Sequence, residues 1–241
     1  MKALRHLQAA PVVAFPAGLN GQPGVAERII TPWLSDTQTR LPLTFPYVLD
    51  PQALAAAWHR AADAVWPHLH LGDDVVFACE GDVSFYGTFT YLAQSLQLQH
   101  PGVEVRAIAG VSSPMAAAAA LSIPLTCQDQ QLAILPALYS FNLSCNRATN
   151  SLEAALAWAE VIVLMKVSRV YPQVWKILAE HQLLEKSYVV ENATRPEQKT
   201  YIGLQNYPAL KLPYFSLLIV QRGDGVSVAL SDATSPQSTS P

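Results

Sequence analysis

The sequence predicts an α/β fold, and two features of its hydrophobic pattern support this class. Short runs rich in Val, Ile and Phe alternate along the chain with stretches whose apolar residues recur at helical spacing. Most of the runs are apolar throughout, as expected for strands of a sheet that is covered on both faces. Strands that alternate with helices in this way are typical of α/β proteins.

The elements follow from these patterns in chain order. The predicted strands are Val12–Phe15, Val75–Cys79, Val103–Ile108, Leu132–Leu135, Val161–Lys166, Ser187–Val190 and Tyr214–Gln221. The predicted helices are Pro51–Leu69, Phe85–Leu98, Leu152–Ala159 and Pro172–Leu184. Asn150 and Glu153 resemble a capping box ahead of the third helix. Pro172 suits the first turn of the fourth, where its missing N–H would have no partner.

A seam between Gly110 and Leu125 predicts two domains. A helix that opens at Ser112–Pro114 contains five successive alanines, Ala116–Ala120, whose small side chains let neighbouring backbone come close. We therefore expect an N-terminal domain over residues 1–124 and a C-terminal domain over residues 125–230. The Ser/Thr/Pro-rich tail, residues 231–241, is predicted to be disordered.

Composition excludes several classes of protein. With 241 residues, 51% hydrophobic and 14% charged, the chain can bury a full core, which excludes global disorder. A formal charge of −3 argues against a dedicated nucleic-acid binder. No apolar run reaches the roughly 18–20 residues that a membrane helix needs.

Cysteine usage indicates a reducing compartment. The three cysteines form no C-x-x-C pair, so neither a zinc site nor a disulfide framework is predicted. The six histidines form no convincing set of metal ligands.

Pro11 and Pro16 interrupt the apolar stretch near the start, which argues against a signal peptide. We expect a cytoplasmic protein without a bound metal.

No standard catalytic motif occurs in the sequence. G-x-S-x-G, H-E-x-x-H, the Walker loop and G-x-G-x-x-G are all absent. Function is therefore expected to depend on loops that hold a reactive cofactor, or on binding alone.

The strongest local signal lies at Glu80-Gly81-Asp82, where a predicted buried strand ends before a predicted helix. Ligands of open α/β sheets bind outside the carboxyl ends of strands, and Gly81 would let backbone approach a ligand. The simpler interpretation is a plain strand–turn–helix with Asp82 as the N-cap.

A second corner has the same form. Val103–Ile108 leads into Gly110, followed by Ser112, Ser113 and a helix. The simpler interpretation is again an N-cap, by Ser112 or Ser113. Two such corners in succession would open on the same edge of the sheet, which favours a binding site.

Three ordered motifs resemble the tetrapyrrole methylase family. They are Glu80-Gly81-Asp82-x-x-x-Tyr86-Gly87-Thr88, Gly110-Val111-Ser112-Ser113-x-x-Ala116-Ala117 and Leu121-x-x-Pro124-Leu125. Within this family, Val163–Val167 and Tyr214–Val220 resemble the precorrin-2 C20-methyltransferases of cobalamin biosynthesis. The resemblance covers most of Met1–Gln221.

This resemblance implies two α/β domains with S-adenosylmethionine (SAM) in the cleft between them, and it suggests a homodimer. The cofactor-binding positions that it implies are Gly81, Asp82, Phe85, Ser112, Ser113, Met165, Lys166 and Ala193. The contact after the fifth strand falls on Met165 or Lys166. Ala193 lies in Glu191-Asn192-Ala193-Thr194, which is similar to an E-N-G-T stretch of the family.

The implied acceptor, precorrin-2, is a polycarboxylate macrocycle, so its site should offer cations and amides. Glu80, Tyr86, Lys166 and Arg195 are the candidate substrate-binding residues. Lys166 ends an apolar strand, where an unpaired charge is costly, so a ligand or an acidic partner is expected. Tyr86, Glu80 or water could accept the proton that the methylated carbon loses.

One departure from the family concerns the start of the chain. Family members begin with a strand and a G-x-G-P-G-D-P loop before a helix that Met1–Arg5 resembles. The resemblance therefore implies an N-terminally truncated chain, through a start codon assigned too far downstream or a shortened product.

The leading hypothesis is SAM-dependent methylation of precorrin-2 at C20. The alternatives are another tetrapyrrole methylase, acting on cobalt-precorrin-2 or at a different ring carbon, and a non-catalytic truncated binding protein.

Overall fold

The structure, a computed structural model, describes residues 1–18, 22–46, 48, 50–140 and 151–223. The chain divides into two compact units, Met1–Ser112 and Ser113–Pro241. The tail predicted to be disordered and Asn150 of the predicted capping box lie outside the described residues.

The first unit is built on a parallel sheet of three strands. Its elements are α1 (Lys2–Ala9), β1 (Val12–Pro16), α2 (Val25–Ile30), β2 (Thr39–Leu43), α3 (Pro51–His70), β3 (Val75–Phe77) and α4 (Phe89–Gln99). The strand order is β2-β1-β3, with Val12 in register with Thr39 on one side and Val75 on the other. The central strand β1 is therefore the most buried.

Helices cover both faces of this sheet, which explains why β1 is apolar throughout. Ala14 packs with Ala62 of α3 and Leu96 of α4 on one face. Val13 and Phe15 pack with α1 and α2 on the other. A strand buried on both sides cannot alternate with polar residues.

The second unit contains a mixed sheet of five strands. Its elements are α5 (Ser113–Leu121), β4 (Leu132–Pro136), α6 (Ala137–Ser140), α7 (Ser151–Leu156), β5 (Val161–Met165), α8 (Tyr171–Glu180), β6 (Ser187–Glu191), β7 (Lys199–Ile202) and β8 (Ser216–Gln221). The order is β4-β5-β8-β6-β7. β4 and β5 are parallel, and β8 runs antiparallel to both of its neighbours.

The alanine-rich helix α5 belongs to this second unit. Ala117 is fully buried against Val163 and Ile219, on one face of the sheet. α8 covers the opposite face, where Leu178 packs with Leu164. Because α5 packs on β6 and β8, the structural division falls at residues 112/113, before the boundary at 124/125 expected from the sequence.

The fold confirms the α/β class, but several element predictions are wrong. Residues 103–108 form no strand, and Glu104 and Arg106 pair with each other on the exposed surface at 2.7 Å. The strands β2 and β7 were not predicted, because both are largely exposed and carry polar residues. α4 begins at Phe89 instead of Phe85.

The described ranges contain neither a candidate membrane span nor a candidate metal-binding cluster. Among the helices described, none combines the length and apolarity that a bilayer crossing needs. In the same ranges, three or more His, Cys, Asp and Glu side chains never come together in a possible metal-binding group.

Two leucines on α4 provide a matched test of the first core. Leu96 is buried against α3, whereas Leu98 is 79% exposed. We expect Leu96→Ala to lower the free energy of unfolding by about 2–4 kcal/mol, because it leaves a cavity. Leu98→Ala should change it by less than about 0.5 kcal/mol. Urea unfolding followed by circular dichroism measures both variants, and equal losses would contradict this packing.

Candidate functional site

A tight turn after β3 forms the first corner. Gly81 has a φ of +75°, in the left-handed region that glycine adopts without strain. The Asp82 carboxylate accepts hydrogen bonds from the N–H and the hydroxyl of Ser84. Asp82 is therefore not the N-cap of α4, whose N-cap is Thr88. The sequence had suggested that the helix follows the turn at Gly81 directly. In the structure, α4 begins only at Phe89.

The second corner lies against the first. The Gly110 N–H donates to Asp82 Oδ2 at 2.7 Å. A Cβ built on Gly110 would lie 2.0 Å from the Gly81 carbonyl oxygen, and one on Gly81 would lie 3.6 Å from the Val111 carbonyl oxygen. The two glycine segments thus approach backbone to backbone, and only a residue without a side chain fits at Gly110.

The hydrogen bonds at this junction favour the ionised form of Asp82. The bond from the Ser84 hydroxyl, followed by those from the N–H groups of Gly110 and Ser84, lowers the pKa of Asp82. Asp82 therefore remains a carboxylate to a lower pH than an ordinary aspartate does.

An open hollow of about 360 Å³ lies beside the first corner. Its lining consists of Ser84, Phe85, Tyr86, Gly87, Thr90 and Tyr91. Phe85 and Tyr86 meet edge to face at 4.9 Å, and the Tyr91 ring stacks on Trp58 at 4.2 Å. This aromatic wall can accept a flat ring.

The remaining predicted residues near this corner differ in exposure. Glu80 and Tyr86 are exposed, and Tyr86 has a positive φ of 53°. Ser112 ends the first unit and Ser113 opens α5 in the second, and both are half-buried. Burial raises the pKa of the Cys79 thiol to about 11, so this cysteine is not a thiolate nucleophile at neutral pH.

In the second unit, β5 and β6 end and β8 begins at one edge of the sheet. β8 is antiparallel to β5 and to β6, so its first residues lie between the carboxyl ends of those two strands. Ser216 is in register with Glu191, and Leu217 with Met165. The topology therefore brings the segments after Met165 and after Glu191 to the same edge.

Predicted residues follow both strand ends. Met165 and Ala193 pack against the same apolar cluster. Lys166 has a φ of 55°, and burial lowers the pKa of its half-buried amine. Asn192 and Thr194 are left-handed as well, with φ values of 49° and 65°. The chain thus turns sharply at both strand ends.

Arg195 is held beside this edge by three contacts. Its Nη1 donates to Asn192 Oδ1 at 3.3 Å, and its guanidinium lies 5.2 Å from the centre of the Phe215 ring. Its Nε lies 3.9 Å from a Glu197 oxygen. A planar guanidinium fixed in this way is suited to bind a carboxylate.

One contact in this region, between Glu191 and Tyr201, was not predicted from the sequence. Glu191 is only 6% exposed, and Tyr201 of β7 donates a hydrogen bond to its carboxylate at 3.3 Å. Burial and the neighbouring Glu191 raise the pKa of Tyr201. The sequence signal that could have indicated this contact is Glu191 itself, a charged residue at the end of an apolar strand.

Apart from Ser112 and Ser113, which lie where the two units divide, the predicted residues fall into two sets, one in each unit. Glu80, Gly81, Asp82, Phe85 and Tyr86 share one turn, and Gly110 closes on it. Met165, Lys166, Ala193 and Arg195 share one sheet edge. These features define an α/β protein whose candidate site is made of loops at the ends of strands.

Comparison with known proteins gives the family. The sequence profile of the tetrapyrrole (corrin/porphyrin) methylases matches residues 1–205. The chain belongs to this family.

Individual relatives are distant but match most of the chain. Cobalt-precorrin-2 C(20)-methyltransferase of Salmonella typhimurium is 27% identical, over 92% of this chain and 90% of the relative. Precorrin-2 C(20)-methyltransferase of a Sinorhizobium species is 28% identical, over 91% and 88%. The cobalamin biosynthesis protein CobIJ of Mycobacterium tuberculosis is 29% identical over 92% of this chain, which spans only 43% of that relative's length.

Solved structures confirm the fold. The cobalt precorrin-4 methyltransferase CbiF aligns with a TM-score of 0.68 and 20% identity, over 91% of this chain and 87% of the other. A uroporphyrin-III C-methyltransferase of Thermus thermophilus, complexed with S-adenosylhomocysteine, aligns with a TM-score of 0.58 and 18% identity, over 91% and 89%.

The half-buried amine of Lys166 gives a pH prediction. We expect it to titrate below the ordinary value for lysine, because burial disfavours the cation. The folded state then gains stability as pH rises from the folded pKa towards the higher pKa of the unfolded chain. NMR titration of the 13C-dimethylated protein measures the pKa, and Lys166→Arg assigns the signal. An unshifted Lys166 signal would contradict this environment.

Proposed function

We propose that this protein transfers the methyl group of SAM to C20 of precorrin-2 in cobalamin biosynthesis. The structural observation that carries the proposal is the contact of the two glycine segments at Gly81 and Gly110. Relatives named for C20 methylation, which match nearly the full length of this chain, favour this carbon over others.

In the first unit, exposed backbone, hydroxyl groups and an aromatic hollow suit the different chemical groups of SAM. Gly81 and Gly110 are both exposed, so their backbone can be approached by a ligand, and Ser112 and Ser113 can offer hydroxyls. The aromatic hollow beside Phe85 suits a flat heterocycle. In the second unit, Met165, Lys166 and Ala193 are the residues that would contact the cofactor.

When bound, SAM supplies an electrophilic methyl group on a positively charged sulfonium. The electron-rich carbon of the acceptor can attack it without a protein nucleophile, which agrees with the protonated thiol of Cys79. The task of the chain is then to position both reactants and exclude water. Such positioning can contribute roughly 7–11 kcal/mol in favourable cases.

Recognition of the acceptor is assigned to charged groups at the strand ends. The proposed contacts are the Lys166 amine and the Arg195 guanidinium, because the macrocycle carries several carboxylates. Glu80 and Tyr86 are exposed on the turn after β3 and remain candidates, with water, to accept the proton that C20 loses. The homodimer and the cytoplasmic location stay predictions.

A labelled transfer assay tests the proposal directly. Purified protein is incubated with [methyl-13C]SAM and either precorrin-2 or cobalt-precorrin-2, and NMR locates the new methyl group. We expect label at C20, and the faster substrate identifies whether the metal-free or the cobalt form is preferred. Label at another carbon would refute the C20 assignment. No transfer to either macrocycle would refute the enzymatic function.

Lys166→Ala tests the role of the sheet edge in the second unit where β5 and β6 end. We expect weaker binding of the tetrapyrrole or of S-adenosylhomocysteine, on the order of tenfold, because a hydrogen-bonded charge is lost. Isothermal titration calorimetry measures both affinities. Lys176→Ala removes the same side chain from an exposed position on α8 and serves as the control. Unchanged affinity for both ligands in Lys166→Ala would exclude Lys166 from the site.

A further inference from the structure

We infer that Phe215 is a positioning residue, whose ring holds the Arg195 guanidinium in the orientation that binds a carboxylate of the acceptor. This inference rests on the proposed function, because it concerns recognition of the same tetrapyrrole. It assigns a specificity-determining role to an aromatic residue for which no site role was predicted from the sequence.

Phe215 lies directly before β8, next to the loop that carries Arg195. The first residue of β8, Ser216, is in register with Glu191, the last residue of β6. The N–H of Asn192 then donates to the carbonyl oxygen of Phe215 at 2.7 Å. The main chain of Phe215 therefore fixes the start of this loop.

The ring of Phe215 makes a separate contact with the end of the arginine side chain. The guanidinium carbon of Arg195 lies 5.2 Å from the ring centre, within the roughly 6 Å over which a cation is attracted to an aromatic face. The Tyr214 ring meets the Phe215 ring edge to face at 5.1 Å, which restricts the orientation of the Phe215 ring. Because the Arg195 side chain is only 25% exposed, water screens this attraction only in part.

The polar contacts of Arg195 are weaker than the ring contact and leave part of the guanidinium available. The bond from Nη1 to Asn192 Oδ1 is long, at 3.3 Å, and Nε is 3.9 Å from the exposed Glu197 carboxylate. Within the described residues, no acceptor is bonded to Nη2. A planar guanidinium that is oriented by a ring and retains a donor nitrogen can bind a carboxylate of the ligand.

Replacement of the ring tests this role. Phe215→Leu keeps an apolar side chain and the carbonyl that accepts from Asn192, but it removes the aromatic face. We expect the KM for the tetrapyrrole to rise about three- to tenfold at unchanged kcat, because binding of a carboxylate remote from C20 is lost equally in ground and transition state. Phe215→Tyr, which retains the ring, should keep the KM of the wild type.

Steady-state kinetics with labelled SAM and either precorrin-2 or cobalt-precorrin-2 measure these values. Trp158→Leu is the matched control, because it removes an exposed aromatic side chain of the same unit just before the amino end of β5. Its KM should not change. An unchanged KM in Phe215→Leu, or a raised KM in Phe215→Tyr, would overturn the inference.

A double-mutant cycle shows whether Phe215 acts through Arg195. In an Arg195→Gln background the guanidinium is absent, so Phe215→Leu should cause no further rise in KM. A rise of the same size in both backgrounds would mean that Phe215 acts on the acceptor without Arg195, which would overturn the inference.

Two further readouts do not depend on turnover. The affinity for S-adenosylhomocysteine, measured by calorimetry, should be unchanged in Phe215→Leu, whereas a loss that matches the change in KM would indicate a distorted sheet edge and contradict a positioning role. The NMR signal of the Arg195 Nε–H should move when the ring is removed, and Arg195→Gln assigns that signal. A signal that stays in place would refute the contact. Thermal unfolding checks each variant, and Phe215→Met repeats the comparison if the leucine variant does not fold.

These measurements separate this inference from the proposed function. If the wild type transfers no methyl group to either macrocycle, the proposed function fails, while the NMR signal still tests the contact of Arg195 with Phe215. If the wild type transfers the methyl group and Phe215→Leu leaves KM unchanged, the inference alone fails.

Discussion

Two backbone segments meet at Gly81 and Gly110 more closely than a side chain would permit. The Gly110 N–H and the Asp82 carboxylate fix this approach, and the missing Cβ of Gly110 makes room for it. The geometry of the candidate site in the first unit depends on this constraint. Substitution at Gly110 would displace backbone, not merely fill space, because the neighbouring atom is a carbonyl oxygen.

In the second unit, the strand topology brings two candidate segments to one edge of the sheet. Its strands β5 and β6 are not hydrogen-bonded to each other, since β8 lies between them and runs the opposite way. Their carboxyl ends therefore leave the sheet on the same edge, and the residues after each end turn sharply with positive φ values. The apolar cluster that contains Val163 and Val190 anchors both ends.

Much of this architecture could be predicted from the sequence because buried strands and helices leave strong hydrophobic signals. β1 and β5 are examples, since both are apolar on two faces. The edge strands β2 and β7 could not be found, because exposure leaves their side chains polar. Residues 103–108 were predicted as a strand from their Val and Ile residues, but they belong to none of the strands that the structure describes.

The features of the candidate site can be divided in the same way, into those with a local sequence signal and those that depend on tertiary contacts. Glycine corners and a charge at the end of an apolar strand are local signals, so Gly81, Gly110 and Lys166 could be singled out. The bond between Asp82 and Gly110 joins residues far apart in sequence, and the contact of Arg195 with Phe215 also depends on the sheet. Pairings of this kind follow from tertiary structure, which hydrophobic periodicity does not encode.

Backbone and positioned polar groups, rather than a reactive side chain, dominate what the described residues offer. The Cys79 thiol is held protonated, and the Asp82 carboxylate accepts hydrogen bonds from Ser84 and Gly110. A site of this kind can catalyse a reaction in which one of the two reactants already carries an activated group. The protein then needs only to hold the two reactants in the correct geometry. Methyl transfer from a sulfonium is such a reaction, and this chemical match links the loop geometry to the methylase family.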